Sequence, residues 1–403
     1  MIEPSANRMK KEIPIEIDRA RRKDPEGGSW QTLDPVAKGS VQVFDCPVDP
    51  ISQALVTISE IERLSRRSPD WDWSRCAIIA REWKYLDPVR TVCEARGISV
   101  QTANEENISI WKLRETQTLI NWLRNRYKEL IAVSEIEECL QHCQDNIWRS
   151  LLQGAVSALE QEVGNETTGQ IAIEWLAEWS QEARQRQTGL LLLTAHRAKG
   201  LEFDHVAVLD GGWCRRFPNE GQDAERRLYY VAMTRARETL FLARFNLDSS
   251  TDQDYLGSGS LFSEAFLNHP SVLMKRPPRI DEYLSGLKRI YALPKLSQIH
   301  LGFAGHFQSS HHNSIKAIRD LSIGETLTIR KTGFGAWELL NNVGQQVGFM
   351  AREFAPPEGY CPVFALVYAV IVWRRDANPD KDYGAKRDFW EVVVPEIVYE
   401  PVS

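Results

Sequence analysis

The sequence predicts an α/β protein: a parallel sheet carrying a helical insertion, followed by a small β-rich domain of barrel or sandwich type. Three observations carry this. Continuous apolar runs at Arg75–Arg81, Gly189–Thr194 and His205–Leu209 read as strands buried on both faces, as parallel sheets require. Residues 106–186 show helical periodicity with no strand pattern. The last hundred residues break into short strand-like runs punctuated by Gly333, Gly335, Gly344 and Gly348. A chain of 403 residues allows two or three domains at roughly 150 residues each.

The elements follow in order. Residues 1–39, with the charged run Arg19–Asp24, read as a loosely packed arm. Ser40–Phe44 alternates as a strand. Asp49–Arg67 places Ile51, Ala54, Leu55, Ile58, Ile61 and Leu64 on one helix face. After the strand at 75–81, Leu86–Arg96 is a helix stopped by Gly97, and Ile98–Val100 a strand. The insertion holds helices at Ile108–Tyr127, Ser134–Ala158 and Gln170–Arg186. The α/β rhythm resumes with strands at 189–194 and 205–209, a helix at Asp223–Glu238 and a strand at Thr239–Phe245. A polar loop (246–258) and the strap Arg276-Pro277-Pro278-Arg279 lead to strands near 327–330, 337–340, 346–350, 364–373 and 389–394.

Composition excludes several classes. The 43% hydrophobic and 26% charged content is that of an ordinary globular chain. No apolar run is long enough for a bilayer and residues 1–11 lack a signal-peptide core, so the expected compartment is cytoplasmic, with no membrane partner. Seven scattered cysteines without a CxxC pair argue against a disulfide framework or a zinc ribbon. Cys139-Leu140-Gln141-His142-Cys143 reads as thiols on a helix, and His300, His306, His311 and His312 as an exposed polar loop; no metal site is expected. With a net charge of −6, any nucleic-acid contact must be a local basic strip.

Two stretches carry chemistry. The first is Leu190–Phe203, containing Thr194-Ala195-His196-Arg197-Ala198-Lys199-Gly200-Leu201-Glu202. A strand ending at Leu193 delivers Thr194, His196 and Lys199 to the C-terminal rim, where open α/β sheets bind ligands. A hydroxyl and turn N–H groups suit phosphate oxygens, a flat imidazole suits a base, and Glu202 can accept from ribose hydroxyls. Gly200 permits a close backbone turn. The second stretch is Glu225–Ala236, where Leu228, Val231 and Arg235 fall on one helix face. That spacing points Arg235 at an interface, where its planar fork can meet a γ-phosphate. Either stretch alone also reads as an ordinary strand-to-loop turn or a solvated helix.

In this order and spacing the two stretches resemble motifs V and VI of the UvrD/Rep branch of superfamily 1 DNA helicases. The resemblance implies that residues 40–105 and 187–246 form a RecA-like domain, with 106–186 inserted, 247–296 a linker with a helix, and 297–403 a separate β-rich domain. It implies single-stranded DNA contacts at Thr194, His196 and Lys199. It implies nucleotide contacts at Gly200, Glu202 and Arg235, with Arg235 as the catalytic arginine finger. The Ala77–Arg81 run resembles a core strand of that domain, and the whole resembles the C-terminal portion of a RecQ-type fusion helicase. ATP with Mg would bind only jointly with a separate or upstream P-loop domain. The chain has no G-x-x-x-x-G-K-[ST]; Asp281-Glu282 follows a Pro-rich strap rather than a strand, and Asp210 is not the family's magnesium carboxylate. Two readings follow: the C-terminal half of an ATP-dependent helicase/translocase with a role in DNA repair, inactive alone, or a degenerate domain binding DNA or protein without ATPase activity. A helicase-nuclease relationship lacks its carboxylate-lysine cluster. Arg374, Arg375, Lys381, Lys386 and Arg387, with Trp373 and Trp390, read either as a solvated loop or as a nucleic-acid surface.

Overall fold

The structure, a computed structural model, describes residues 27–102, 109–182, 189–213, 224–245, 264–276, 288–377 and 384–402. The expectations placed on residues 1–26, the loop 246–258, Pro277–Arg279, Asp281-Glu282 and Lys381 lie outside these residues. The chain forms two compact units, one of residues 1–104 and 187–289, the other of 105–186 and 290–403.

The first unit opens with a short helix, α1 (Trp30–Leu33). This part of the expected arm is packed rather than loose: Trp30 is buried, and its indole N–H donates to Glu238 at 2.7 Å. Then come β1 (Val41–Cys46), α2 (Pro50–Ser65), β2 (Cys76–Ala80), α3 (Asp87–Ala95) and β3 (Val100–Thr102). Asp49 caps α2 by accepting from the Ser52 N–H at 2.8 Å, with Pro50 in the first turn. Gly97 (φ +68°) closes α3, and the N–H of Ile98 returns to the Cys93 carbonyl at 2.9 Å.

The chain then builds α4 (Arg114–Arg124), β4 (Leu130–Ala132), α5 (Val133–Gln141), α6 (Ile147–Val163), β5 (Glu166–Thr168) and α7 (Gly169–Glu182) in the second unit. Two features differ from expectation. β4 and β5 pair antiparallel inside what reads as pure helix; at three residues each they are too short to register as a period. The helix expected over 134–158 is split, because Asn146 accepts from the N–H groups of Trp148 and Arg149 (both 2.9 Å) and starts α6 afresh.

Returning to the first unit, the chain adds β6 (Leu190–Thr194), β7 (Phe203–Val208), α8 (Ala224–Met233), β8 (Ala236–Phe245), α9 (Glu264–Leu267) and β9 (Val272–Lys275). Seven strands form one parallel sheet in the order β3-β6-β2-β7-β8-β1-β9. Alternation decides which side chains meet which helices. Ile78, Ala80, Leu190 and Leu192 pack with α2 and α3 on one face. Ala77, Ile79, Leu191 and Leu193 pack with Tyr229 and Ala232 of α8 on the other. This is an α/β fold with a parallel sheet buried on both faces, as a RecA-like domain requires.

The second unit finishes with β10 (Ile290–Ala292), α10 (Asn313–Asp320), β11 (Thr326–Lys331), β12 (Trp337–Leu340), β13 (Gln346–Phe349), β14 (Tyr360–Arg374) and β15 (Phe389–Pro401). These strands form an antiparallel sheet, β10-β15-β14-β11-β12-β13. The helices have their own core around Leu119, Leu123, Leu152 and Val156. They also join the sheet: Leu113, Trp148 and Leu151 share a core with Val370 and Ile371, and the Trp148 indole donates to the Tyr368 carbonyl at 3.0 Å. No described helix is long and apolar enough to cross a membrane.

Candidate functional site

β2 lies between β6 and β7, so all three parallel strands deliver their C-terminal ends to one rim. The rim loop begins where Thr194 leaves β6. The Ala195 N–H donates to the Ala80 carbonyl at 2.9 Å, extending the pairing by one residue. The Thr194 carbonyl then accepts from both Arg197 (2.9 Å) and Ala198 (3.1 Å), which folds the chain into a turn. Ala195 and Ala198 are buried and anchor the turn in the core. His196, Lys199, Gly200 and Glu202 are thereby left exposed, with Thr194 half-buried. Gly200 has φ +83°, a left-handed conformation that a side chain would strain.

His196 is not free to tumble. Its Nδ1 lies 3.4 Å from the Arg81 guanidinium, just past the end of β2. Arginine only donates, so Nδ1 accepts, and the ring proton sits on Nε2 when the ring is neutral. Sequence reasoning assigned Arg81 no role; its position directly after an apolar strand was the available signal.

Arg235 departs from the sequence expectation. α8 ends at Met233, so Arg235 lies in the turn leading into β8 rather than on a helix face. The buried face of α8 is Tyr229 and Ala232, while Val231 is half-buried. The Arg235 Nε donates to the Val231 carbonyl (2.9 Å), one terminal nitrogen to the Leu201 carbonyl (2.9 Å), and the other to Thr234 Oγ1 (3.0 Å). Its own carbonyl accepts from Phe203 N–H at 2.9 Å. Both residues flanking Glu202 are therefore bonded to Arg235. The guanidinium faces neutral oxygens and forms no ion pair with a described residue. Three of its five N–H groups are used, leaving two. Glu202 pairs with Arg237 (2.9 Å), but both side chains are about half exposed, so the pair contributes little and competes weakly with a ligand.

Asp210, just past β7, is fully buried and accepts from the N–H groups of Gly211 and Phe245, both at 2.8 Å. It ties the β7 exit to the end of β8 and is not presented to a ligand. Gly211 (φ +105°) lets the backbone cross the Tyr85 ring, where a Cβ would collide. The described residues contain no group of three or more His, Cys, Asp or Glu able to hold a metal ion. Burial raises the thiols of Cys139, to about 11, and Cys143, which keeps them protonated at neutral pH. In the second unit Trp373 and Trp390 are core residues rather than base-stacking surfaces, and Arg375 approaches Asp388 at 3.8 Å.

Comparisons with known proteins relate part of this chain to DNA helicases. The chain is 33% identical over 161 residues to the ATP-dependent DNA helicase UvrD1 of Mycobacterium leprae, covering 38% of this chain and 19% of that protein. It is 30% identical over 173 residues to the ATP-dependent DNA helicase PcrA of Staphylococcus epidermidis, covering 40% and 21%. A shorter segment of 75 residues is 44% identical to the putative ATP-dependent DNA helicase YjcD of Bacillus subtilis, covering 16% and 10%. The chain thus spans about a fifth of the length of the first two relatives. A solved C-terminal domain of a possible DNA helicase from Lactobacillus plantarum aligns with 61% of this chain and 90% of its own, at 15% identity and a TM-score of 0.27, too low to carry an argument. Residues 156–246, which include the rim loop and Arg235, match the UvrD-like helicase C-terminal domain family.

Proposed function

We propose that this chain supplies the C-terminal half of a UvrD-type ATP-dependent DNA translocase. Thr194, His196 and Lys199 touch single-stranded DNA, Gly200 and Glu202 meet the nucleotide, and Arg235 meets the γ-phosphate. The observation that carries this is the tie between Arg235 and the loop: one guanidinium bonds the carbonyl before Glu202, and the N–H after Glu202 bonds the same residue's carbonyl. An arginine with no carboxylate partner among the described residues and two remaining N–H groups suits phosphate oxygens. The described residues offer no carboxylate set for Mg, so the metal and the β-phosphate cradle would come from a separate or upstream P-loop domain. When ATP is bound, it supplies the phosphoryl group and this chain supplies positioning and positive charge.

Phosphate release by the full chain with oligothymidylate tests the reading. Negligible turnover alone, rising when a P-loop partner is added and falling with Arg235→Ala, is expected. Turnover by the chain alone that is abolished by Arg235→Ala would overturn it. One observation favours the second reading, a DNA- or protein-binding domain without an ATP cycle: the guanidinium is already engaged by three neutral oxygens. That reading expects Arg235→Ala to change stability but never turnover, whatever partner is added.

A further inference from the structure

The second unit contains a cavity of about 270 Å3 that the rim does not involve. Its floor is the β14–β15 pair, where Val372 lies opposite Glu391 and Arg374 opposite Phe389. α4 forms one wall through Gln117 and Asn121, and α10 another through its apolar Ile315 and Ile318. Four arginines line the cavity against a single carboxylate. Arg114 is committed to the fold: it donates to the carbonyls of Arg319 and Leu321, both at 3.1 Å, and closes the end of α10. The side chains of Arg319, Arg374 and Arg387 make no hydrogen bond or ion pair with a described residue.

Glu391 is one carboxylate against four guanidinium groups and cannot neutralise them all. Burial holds its carboxyl above the usual carboxylate range, although Arg114, Arg319 and Arg387 pull the other way. With four guanidinium groups to one carboxyl, the cavity is positive in either state of Glu391. Its aromatic residues are arranged unequally. Trp390 is buried, its indole donates to the Leu301 carbonyl at 2.6 Å, and its ring lies so close over Gly305 that a Cβ there would be only 2.8 Å away. The neighbouring Phe389 is 59% exposed, an open ring face beside three guanidinium groups that no described carboxylate pairs. Folding alone gives no reason for this juxtaposition.

We propose that this cavity binds a nucleotide, with the phosphate held among Arg319, Arg374 and Arg387 and the base against Phe389. The unit taken is a free mononucleotide or one nucleotide of a single strand, since the cavity is too small for a duplex. The proposal does not rest on the rim reading, because it uses other residues in the other unit.

Binding of a short fluorescein-labelled oligothymidylate to the full chain, read by anisotropy, tests it. Parallel measurements on a Thr194→Ala/His196→Ala/Lys199→Ala chain remove the rim's proposed contribution. In both backgrounds Arg374→Ala/Arg387→Ala is expected to weaken binding and to flatten its salt dependence by roughly 0.7 for each phosphate no longer neutralised. Phe389→Ala is expected to cost roughly fivefold to a hundredfold, as expected when one base can no longer stack. Glu391→Gln is expected to tighten binding. Competition identifies the source: thymidine monophosphate competing with the same arginine and Phe389 dependence marks a monomer site, and oligonucleotide binding alone marks a strand site. Inorganic phosphate competing as well as the mononucleotide would overturn the base contact. Unchanged affinity and salt slope in both backgrounds, with Arg374→Lys/Arg387→Lys also silent and circular dichroism native, would overturn the whole proposal.

Discussion

Arg235→Ala removes a tether, and the structure sets the size of the effect. Three donors disappear, leaving the Val231 and Leu201 carbonyls and Thr234 Oγ1 to water. Hydrogen bonds from a charged donor contribute about 1.5–3 kcal/mol when buried and about 0.5–1.5 kcal/mol in ordinary settings. Arg235 is only half-buried, so the lower range applies, and the three together give about 2 kcal/mol. The effect is local to the rim loop and the end of α8. Amide exchange across residues 195–203 should quicken by roughly 30-fold, the ratio equivalent to about 2 kcal/mol. Arg235→Lys keeps the charge but reaches with one ammonium instead of a fork, so it should recover about a third of the stability. Hydrogen exchange followed by mass spectrometry, with urea unfolding in parallel, reads both. If Arg235→Ala leaves exchange over 195–203 and the urea midpoint unchanged, the guanidinium is not a tether and the coupling of loop and helix fails with it.

Other consequences are equally concrete. Lys199→Ala should weaken single-strand binding at low salt and reduce the salt slope by roughly 0.7, read by anisotropy; an unchanged slope would remove Lys199 from the DNA track. Gly211→Ala forces a side chain into a left-handed backbone position and into the Tyr85 ring, and should cost about 2–4 kcal/mol by urea unfolding. Asn146→Ala removes both the cap of α6 and the 2.8 Å hydrogen bond to buried Glu115, so it should cost more than the ~1 kcal/mol of a simple cap. His205 is stacked on Trp71, and burial lowers its pKa to about 4. The unfolded imidazole takes a proton near pH 6.5 while the folded one does not, so stability is complete above that pH and is lost as pH falls toward 4. Between pH 7.5 and pH 5 this group should cost the fold about 2 kcal/mol, and His205→Phe should abolish that dependence.

The sequence made the sheet of the first unit legible because period and burial coincide there. Cys76–Ala80 and Leu190–Thr194 are apolar without alternation, as a short strand covered on both faces reads. Two kinds of feature stayed hidden. Short elements escaped, since three-residue strands such as Leu130–Ala132 span barely one alternation, and Asn146 looked like one more polar residue until its side chain met two N–H groups. Long-range pairings escaped as well. That the helices of 105–186 share a core with residues 290–403 depends on Leu113 and Trp148 meeting strand residues more than two hundred positions away, which no local window contains. The site divides in the same manner. Gly200 and the exposed His196 and Lys199 follow from a strand-to-turn pattern, whereas the contact between Arg81 and His196 arises only because β2 and β6 are neighbours. Placing Arg235 on a helix face failed for a physical reason: the apolar period continues through Met233 and Ala236, but the backbone has already turned into β8.

The way Arg235 is held bears on how such a rim would work under the proposed reading. A guanidinium that binds the Leu201 carbonyl cannot give the same N–H to a phosphate. A γ-phosphate that recruits that donor would release the carbonyl before Glu202, while the Phe203 N–H, the buried alanines and the Arg81 and Arg237 contacts still hold the loop. His196 and Lys199 ride on that loop, so the nucleotide would act on the strand-contacting residues through one hydrogen bond rather than through a displacement of the sheet. Linkage makes the effect reciprocal: DNA that fixes the loop in the tethered position would oppose transfer of the arginine, and DNA that favours the released loop would promote it. Direction therefore rests on which loop state the strand prefers, and the size of the coupling is bounded by the roughly 0.5–1.5 kcal/mol that the one Leu201 hydrogen bond contributes.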